Sequence, residues 1–306
     1  MKFSIYQNSL QGARKYNEDR VAYAYSRDAL LTVLADGMGG HEHGDIAAEI
    51  AIRVLTESFQ RLALSTLSNP FRFLSQHIQQ AHDTIVQHAM SNDFPEAPCT
   101  TIVASIVQNN TLYCAHAGDS RLYHFRDGQL LFCTEDHSKV HMLYRRGVIT
   151  REQMKTHRER NMIYNCIGGR GQPDIELARK RPMHDGDTVL LCSDGFWSLL
   201  DDAEIAEFFQ HGLVMDTMPA LFGLAESRVG NTGDNLSAIA FNWNIQNYDR
   251  FAISTETMPL SRNTIVDSMN DRRLPNGTLP AGQDASDSDI EYAIAEIETA
   301  LKKNSR

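Results

Sequence analysis

Hydrophobic residues recur at two different periods along the chain, and the two periods predict two kinds of element. Apolar positions three and four residues apart predict a helix over 44–62 and a second helix after Pro70. Helices are also expected near 202–211 and 216–229. β-Branched and aromatic runs predict strands at 29–35, 100–107, 111–117, 121–125, 129–133, within 187–195 and at 236–241. Long helices and strands joined by short turns indicate an α+β fold, in which helices pack on antiparallel sheets.

Turn residues separate the four predicted strands between 100 and 133. Asn109-Asn110 and Asp127-Gly128 are hairpin signals, and the "GDS" at 118–120 separates the second strand from the third. We therefore expect an antiparallel meander over this part of the chain.

Two segments depart from the pattern. Residues 134–166 are polar and basic, and "TREQ" at 150–153 fits a capping box that opens a short helix, so we interpret this segment as an exposed insertion. Residues 244–287 are poor in large apolar groups and are expected to be a flexible linker. A second capping box, from Ser288 to Glu291, predicts an amphipathic C-terminal helix over 288–303.

Charge and cysteine content narrow the function classes. The net charge of −10 argues against nonspecific binding of nucleic acid. No apolar run reaches the ~20 residues of a membrane span, and the N-terminus lacks the apolar core of a secretion signal. The five cysteines are widely spaced and form no CxxC, which indicates thiols in a reducing compartment. We expect a cytoplasmic protein with no nucleic-acid or membrane partner.

Four aspartates adjoin glycine at the ends of predicted strands. Asp36 and Asp194 follow apolar runs, Asp119 follows another, and Asp234 precedes the last strand. Each alone is compatible with a turn residue or a helix cap. Together at one end of a sheet they would repel one another unless a cation lay among them. Oxygen ligands suit Mg²⁺ or Mn²⁺, and Gly37 leaves its backbone carbonyl accessible to a metal.

A second charged group lies near the N-terminus. Glu18 and Asp19 are adjacent, and Arg14 precedes Glu18 by four residues. A guanidinium can bind two oxygens of a phosphate at once. A paired-metal carboxylate site with an arginine suits hydrolysis of a phosphoryl group, although other metal-dependent hydrolases remain open.

Five motifs in this order resemble those of the type 2C, or PPM, metal-dependent serine/threonine protein phosphatases, in particular bacterial members. They are "RKYNED" (14–19), "DGMGGHEHGD" (36–45), "HAGDSRLY" (116–123), "CSDGFW" (192–197) and "GDNLSAIAF" (233–241). The resemblance covers about 3–243. It implies a catalytic domain over 1–243 with an αββα sandwich of two antiparallel sheets flanked by helices, in which 134–166 is a flap beside the active site.

The resemblance also implies roles for individual residues. The residue matching Asp36 bridges two Mn²⁺ or Mg²⁺ ions, and those matching Asp194 and Asp234 complete one metal site. The Gly37 carbonyl and Glu18 serve the other site, directly or through water.

Further roles concern the surroundings of the two metals. Asp119, together with Asp194, is associated with a third, weaker metal. Asp19 orients a ligand water, and Asn235 likewise supports the ligands. Arg14 binds the substrate phosphate, and Arg14 and Asp36 are the expected catalytic residues. A hydroxide that bridges the metals attacks phosphorus in line, without a phosphoenzyme.

Two positions depart from many relatives. Met38 stands where many eukaryotic members have a histidine that protonates the leaving group, which leaves the general acid unassigned, with His41 and His43 or a water as alternatives. Tyr164 and Asn165 replace a Thr-Arg pair at the end of the flap, which bears on substrate preference.

The resemblance implies hydrolysis of phosphoserine and phosphothreonine on proteins, opposing a bacterial serine/threonine kinase that would be the cognate partner. Two alternatives remain: a non-catalytic scaffold of the same fold that binds phosphoproteins, and a hydrolase of small phosphate esters. The C-terminal helix is expected to dock on its own catalytic domain or on a partner.

Overall fold

The computed structural model describes residues 1–38, 43–169, 171–210, 212–230, 233–244, 253–255 and 264–267. The strands in these residues are β1 (Lys2–Leu10), β2 (Asp19–Tyr25), β3 (Ala29–Met38), β4 (Cys99–Thr100), β5 (Ile102–Gln108), β6 (Thr111–Ala117), β7 (Arg121–Arg126), β8 (Gln129–Cys133), β9 (Ile167–Gly168), β10 (Glu176–Leu177), β11 (Arg181–Pro182), β12 (Thr188–Cys192), β13 (Leu236–Trp243), β14 (Ile253–Ser254) and β15 (Thr264–Asp267). The helices are α1 (Gly44–Leu62), α2 (Pro70–Ser91), α3 (Lys139–Arg145), α4 (Arg151–Thr156), α5 (Asp194–Trp197), α6 (Asp202–Phe208) and α7 (Val214–Arg228).

The strands form two antiparallel sheets. The first sheet has the order β14-β1-β13-β12-β7-β8. The second has the order β10-β6-β5-β3-β2-β15, and β11 also pairs with β6. The short strand β4 continues the ladder at the end of β3 and pairs on its other side with β9.

Strand β3 shows how the layers stack. Leu30 and Leu34 belong to the core between the two sheets, whereas Leu31 and Val33 pack with residues of α1 and α2. Successive side chains of a strand point to opposite faces, so a strand covered on both faces must be apolar at every position. This is why the run at 29–35 is continuously hydrophobic instead of alternating.

Helices cover the outer face of the first sheet as well. Leu190 of β12 and Ala240 of β13 pack with Phe196 of α5 and with Leu221 and Phe222 of α7. The layers are therefore helix, sheet, sheet, helix, and the predicted αββα sandwich is confirmed.

The helix starts follow the local sequence. α1 spans the predicted 44–62. α2 begins at Pro70, and the Asn69 side chain accepts a hydrogen bond from the Arg72 N–H (3.0 Å). The capping box predicted at 150–153 is present, with Thr150 and Gln153 exchanging side-chain-to-backbone hydrogen bonds at the start of α4.

The expected meander between 100 and 133 is split between the two sheets. Both predicted hairpins form, and Asn109 and Asn110 have positive φ values of 50° and 49°. However, β6 belongs to the second sheet and β7 to the first, so the two strands do not pair. Gly118 makes this crossing at φ 122°, where an added Cβ would lie 2.5 Å from the Cβ of Thr101.

The segment after β13 differs from the expected linker. β14 and β15 lie within 244–287, and they extend the sheets by pairing with β1 and β2. One compact unit therefore runs from Met1 to Asn270. The predicted helix at 288–303 lies outside the described residues. Within the described part of the chain, no helix is both long enough and apolar enough to cross a bilayer.

Candidate metal centre

The predicted carboxylates lie where strands of both sheets end or begin. Asp36 is near the end of β3, directly opposite Asp19 of β2. Asp194 is the first residue of α5, just after β12, and Asp234 precedes β13. Asp119 lies in the crossing between β6 and β7. The structure brings these groups together, since Asp36 hydrogen-bonds Asp194 and interacts electrostatically with the other three.

Burial and mutual repulsion make these carboxylates weak acids. Burial raises the pKa of Asp36 well above its usual range, and the nearby charges of Asp19 and Asp194 raise it further. Burial and Asp194 act in the same way on the pKa of Asp119. Burial raises the pKa of Asp19 to about 7, and burial together with Asp234 raises that of Asp194 to about 6. A cluster with this much uncompensated negative charge favours a proton or a cation at its centre.

The donor set fits a hard divalent cation. Asp119 is buried, and its Oδ1 atom has no hydrogen-bond partner in the described structure. Asp36, Asp194 and Asp234 keep part of their surface exposed to solvent. Carboxylate oxygens are the ligands that Mg²⁺ and Mn²⁺ prefer.

Gly37 follows Asp36 because the chain is crowded there. A Cβ added to Gly37 would lie 2.4 Å from the carbonyl oxygen of Gly44 and 2.8 Å from that of Glu18. Backbone from the start of α1 and from the 11–18 loop therefore closes on this point, and any side chain larger than hydrogen would force them apart.

The 11–18 loop carries the two remaining predicted residues to the same edge. The Arg14 guanidinium forms an ion pair with Asp234 (2.5 Å), and this hydrogen bond raises the pKa of Arg14. Glu18 is half-buried, and its pKa is raised first by burial and then by the nearby charge of Asp45. Asp45 lies in the first turn of α1 and was not singled out from the sequence.

Asn235 fixes this loop to the start of β13. Its Oδ1 accepts a hydrogen bond from the Glu18 N–H (2.9 Å), and its Nδ2 donates to the carbonyls of Gln11 (2.7 Å) and Tyr16 (3.0 Å). Asn235 therefore supports the residues around the centre through the backbone of the loop.

Three supporting residues were missed by the sequence analysis. The Ser193 hydroxyl donates to Asp19 Oδ2 (2.9 Å). Thr101 exchanges hydrogen bonds with the Asp36 backbone, its N–H donating to the carbonyl (2.8 Å) and its Oγ1 accepting from the N–H (3.3 Å). The Trp197 indole N–H donates to the Asp119 carbonyl (2.9 Å). Ser193 and Trp197 lie within the CSDGFW motif, but hydroxyl and indole groups carry no positional signal of their own.

The alternatives for a general acid are only partly described. Met38 pairs with Cys99 across β3 and β4. The His43 ring stacks on Phe94, with ring centroids 4.2 Å apart. His41 lies outside the described residues.

A second group of ligand-type side chains lies near the centre, in which one ligand atom each of His116, His137 and Glu176 is within 4.8 Å of the others. The hydrogen bonds argue against a metal there. His137 Nδ1 accepts from the Gly118 N–H (3.2 Å) and from Asn165 Nδ2 (2.6 Å), so the ring proton is on Nε2 and is donated to Glu176 (3.1 Å). Nε2 then has no free lone pair for a cation.

Comparison with known proteins shows the family of the chain. The protein phosphatase 2C family model matches residues 8–219. The chain is 31% identical over 241 residues to the serine/threonine phosphatase stp of Listeria innocua, a match that covers 78% of this chain and 95% of that protein.

Solved structures of serine/threonine phosphatases are also similar to this chain. The Streptococcus agalactiae serine/threonine phosphatase superimposes with a TM-score of 0.70 at 29% identity, covering 80% of this chain and all of that one. The catalytic domain of the serine/threonine protein phosphatase PstP, in complex with two manganese ions, superimposes with a TM-score of 0.65 at 28% identity, covering 79% of this chain and 98% of that one. The chain therefore belongs to the protein phosphatase 2C family and is a metal-dependent protein serine/threonine phosphatase.

Proposed function

We propose that this centre hydrolyses phosphoserine and phosphothreonine on proteins with the help of two Mn²⁺ or Mg²⁺ ions held by Asp36, Asp194, Asp234, Glu18 and the Gly37 carbonyl. The observation that carries the proposal is the convergence of carboxylates with raised pKa values around Asp36. Asp119 and Asp194 would hold a third, weaker ion, since Asp119 Oδ1 is buried without a partner in the described structure.

The side chains of the centre position the substrate and the water, and the ions supply positive charge. When bound, two divalent cations lower the pKa of a water and offset the negative charge of the phosphoryl group. Arg14, whose side chain is about half exposed, is placed at the rim of the centre and binds two phosphoryl oxygens. Asp19 lies opposite Asp36 in the β2–β3 pair, accepts a hydrogen bond from Ser193, and orients a water at the centre as an acceptor.

Hydrolysis of a phosphothreonine peptide with and without Mn²⁺ tests this proposal. We expect metal-dependent activity that falls by more than about 100-fold in Asp36→Asn and Asp194→Asn, since loss of a ligand should exceed the ~10–100-fold effect of losing a supporting partner. Asp127→Asn, in the β7–β8 turn where Asp127 already has a positive φ of 48°, is the matched control and should retain full activity.

The same assay distinguishes the alternatives. A scaffold would bind phosphopeptide and show no metal-dependent turnover, and the complete carboxylate set disfavours it. A small-ester hydrolase would cleave p-nitrophenyl phosphate but not the peptide. Peptide hydrolysis that persists in Asp36→Asn would contradict the assignment of the centre itself.

Three broader proposals follow from the sequence. The substrates are proteins phosphorylated by a serine/threonine kinase of the same cell, and the protein acts in the cytoplasm, a compartment that suits its five free cysteines. The predicted helix at 288–303 docks on the catalytic domain or on a partner. Deleting 271–306 leaves β14 and β15 in place, and unchanged activity, metal affinity and oligomeric state would exclude docking in cis.

A further inference from the structure

Two of the five cysteines meet at the base of the predicted flap. Cys99 is in β4, where it pairs with Met38 on one side and with Gly168 of β9 on the other. Cys166 immediately precedes β9. Cys166 therefore comes one residue before the β9 residue that pairs with Thr100 and two residues before the one that pairs with Cys99.

The two thiols are in contact. The Cys166 and Cys99 side chains interact, and the Cys99 thiol also donates to the Ala97 carbonyl (3.8 Å). The neighbouring glycines leave room for the sulfur atoms, since a Cβ added to Gly169 would lie 2.9 Å from Cys99 Sγ. Both cysteines are half-buried, so a small molecule in solvent can reach them.

The other three cysteines lack this arrangement. Cys114 and Cys192 are buried. Cys133 is half-buried, but its thiol donates to the Thr134 carbonyl (3.3 Å), and burial raises its pKa to about 12. Cys133 is therefore a matched cysteine of similar exposure without a thiol partner.

We propose that Cys99 and Cys166 form a reversible disulfide when a hydroperoxide reaches them, and that this disulfide slows the phosphatase. Cytosolic disulfides are commonly redox-sensing, and a sensor cysteine needs an accessible sulfur beside a resolving thiol. The Cys99–Cys166 pair meets both conditions.

The chemistry balances in two steps. The Cys99 sulfur attacks the terminal oxygen of the hydroperoxide, so that an S–O bond forms, the O–O bond breaks, and the alcohol leaves with the thiol proton. The Cys166 sulfur then attacks Cys99, so that the S–S bond forms and the S–O bond breaks, releasing water. Two electrons and two protons pass from the thiols to the hydroperoxide. Cys99 is the first nucleophile because the hydrogen bond from Cys166 lowers the pKa of Cys99.

The cross-link would act on the metal centre through strand β4. A disulfide has an S–S distance of about 2.0 Å, so sulfur atoms in hydrogen-bond contact must approach by more than about 1 Å. β4 pairs directly with the end of β3, where Thr100 is opposite Gly37, and β9 immediately follows the predicted flap. A displacement of ~1 Å near a catalytic group can reduce the rate by ~100-fold, and we expect a loss of about tenfold here because the shift is shared between β4 and β9.

The test uses the full-length, Mn²⁺-loaded protein, oxidised either with hydrogen peroxide or with diamide. Diamide converts dithiols to disulfides without oxidising methionine, so it separates the cross-link from damage at Met38. After alkylation of free thiols, non-reducing peptide mapping should join the peptides that contain Cys99 and Cys166. Activity on the phosphothreonine peptide should fall about tenfold in kcat and return after a phosphine reductant.

Variants assign the effect to this pair. Cys133→Ser should behave like the wild type, whereas Cys99→Ser and Cys166→Ser should form no cross-link and keep their activity under diamide. The wild-type peptide map requires no variant to fold. Absence of the cross-linked peptides in the wild type would overturn the proposal, and so would a cross-link that leaves turnover unchanged or an equal loss of activity in Cys99→Ser.

Discussion

The two ends of strand β12 carry acids with opposite electrostatic surroundings. Asp187, just before the strand, is fully buried and receives hydrogen bonds from Arg126 Nε (2.7 Å), His124 Nε2 (2.9 Å) and the His184 N–H (2.8 Å). Burial alone would raise the pKa of Asp187, but Arg126 and His124 outweigh it and hold that pKa well below its usual range. Asp194, just after the strand, faces other carboxylates, and its pKa is raised to about 6.

This difference indicates which of the two acids is structural and which needs a bound cation. Asp187 has its counter-charge within the chain, since Arg126 binds both of its oxygens. Asp194 and its neighbours have Arg14 nearby, but this guanidinium is half exposed and pairs with Asp234. A site that gathers carboxylates without matching cations is stabilised by a bound divalent ion. The comparison therefore predicts different responses to mutation, pH and metal.

The largest expected effect is loss of the Asp187 ion pair. We expect Asp187→Asn to lower the free energy of unfolding by about 3 kcal/mol, because it removes the charge-assisted hydrogen bonds that Asp187 accepts from Arg126 and His124. Urea unfolding of the Mn²⁺-loaded protein measures this, and Asp127→Asn in the exposed turn should stay within about 0.5 kcal/mol of the wild type. Metal affinity should not change, and a loss of less than about 1 kcal/mol would contradict the structural role of the pair.

The pH dependence of stability should distinguish the two ends of β12. Since Asp187 has a depressed pKa in the folded state, its contribution is complete above the ordinary carboxyl pKa of ~4 and is lost only as the pH falls through its lower folded value. The carboxylates of the centre have raised pKa values, so the folded protein binds more protons than the unfolded chain does. Without metal, stability should therefore rise as the pH falls from about 8 to about 5, through the pKa values of about 7 for Asp19 and about 6 for Asp194.

The size of this rise can be estimated from Asp194. Its pKa lies about two units above that of an unfolded aspartate, which corresponds to on the order of 3 kcal/mol. Thermal unfolding in a chelator at several pH values measures it. Saturating Mn²⁺ should abolish the rise because the ion replaces the protons, and Asp194→Asn should weaken it. Equal slopes with and without metal would show that these carboxylates do not hold the ion.

Much of this arrangement follows from the sequence, and the exceptions have physical causes. The sequence predicted four carboxylates of the centre, because a carboxylate next to an apolar strand is unusual. They are Asp36, Asp119, Asp194 and Asp234. The sequence did not predict that β6 and β7 belong to different sheets, because the turn at 118–120 has the composition of a hairpin turn. The crossing depends on contact with Thr101, 17 residues earlier in the chain than Gly118.

The other features that the sequence did not predict depend on partners that are distant in the chain. Asp187 showed nothing unusual in the sequence because its partners His124 and Arg126 are about 60 residues away and meet it only through the β7–β12 ladder. β14 and β15 were read as linker because each is very short and depends on the edge of an existing sheet.

The smallest expected effect concerns one of the two hydroxyl groups that hydrogen-bond Asp19, those of Ser193 and Ser237. Ser193→Ala removes the hydrogen bond to Asp19 Oδ2 and should weaken Mn²⁺ binding by about tenfold, since partners that orient a site typically contribute ~10–100-fold. Ser105→Ala is the matched control: Ser105 is also buried and hydrogen-bonds Thr32 (2.6 Å) between β5 and β3, away from the centre. Both variants should lose about 1 kcal/mol of stability. Only Ser193→Ala should show weaker metal binding by calorimetry, because only its partner belongs to the carboxylate cluster. Equal metal affinity in the two variants would show that Ser193 does not support the centre.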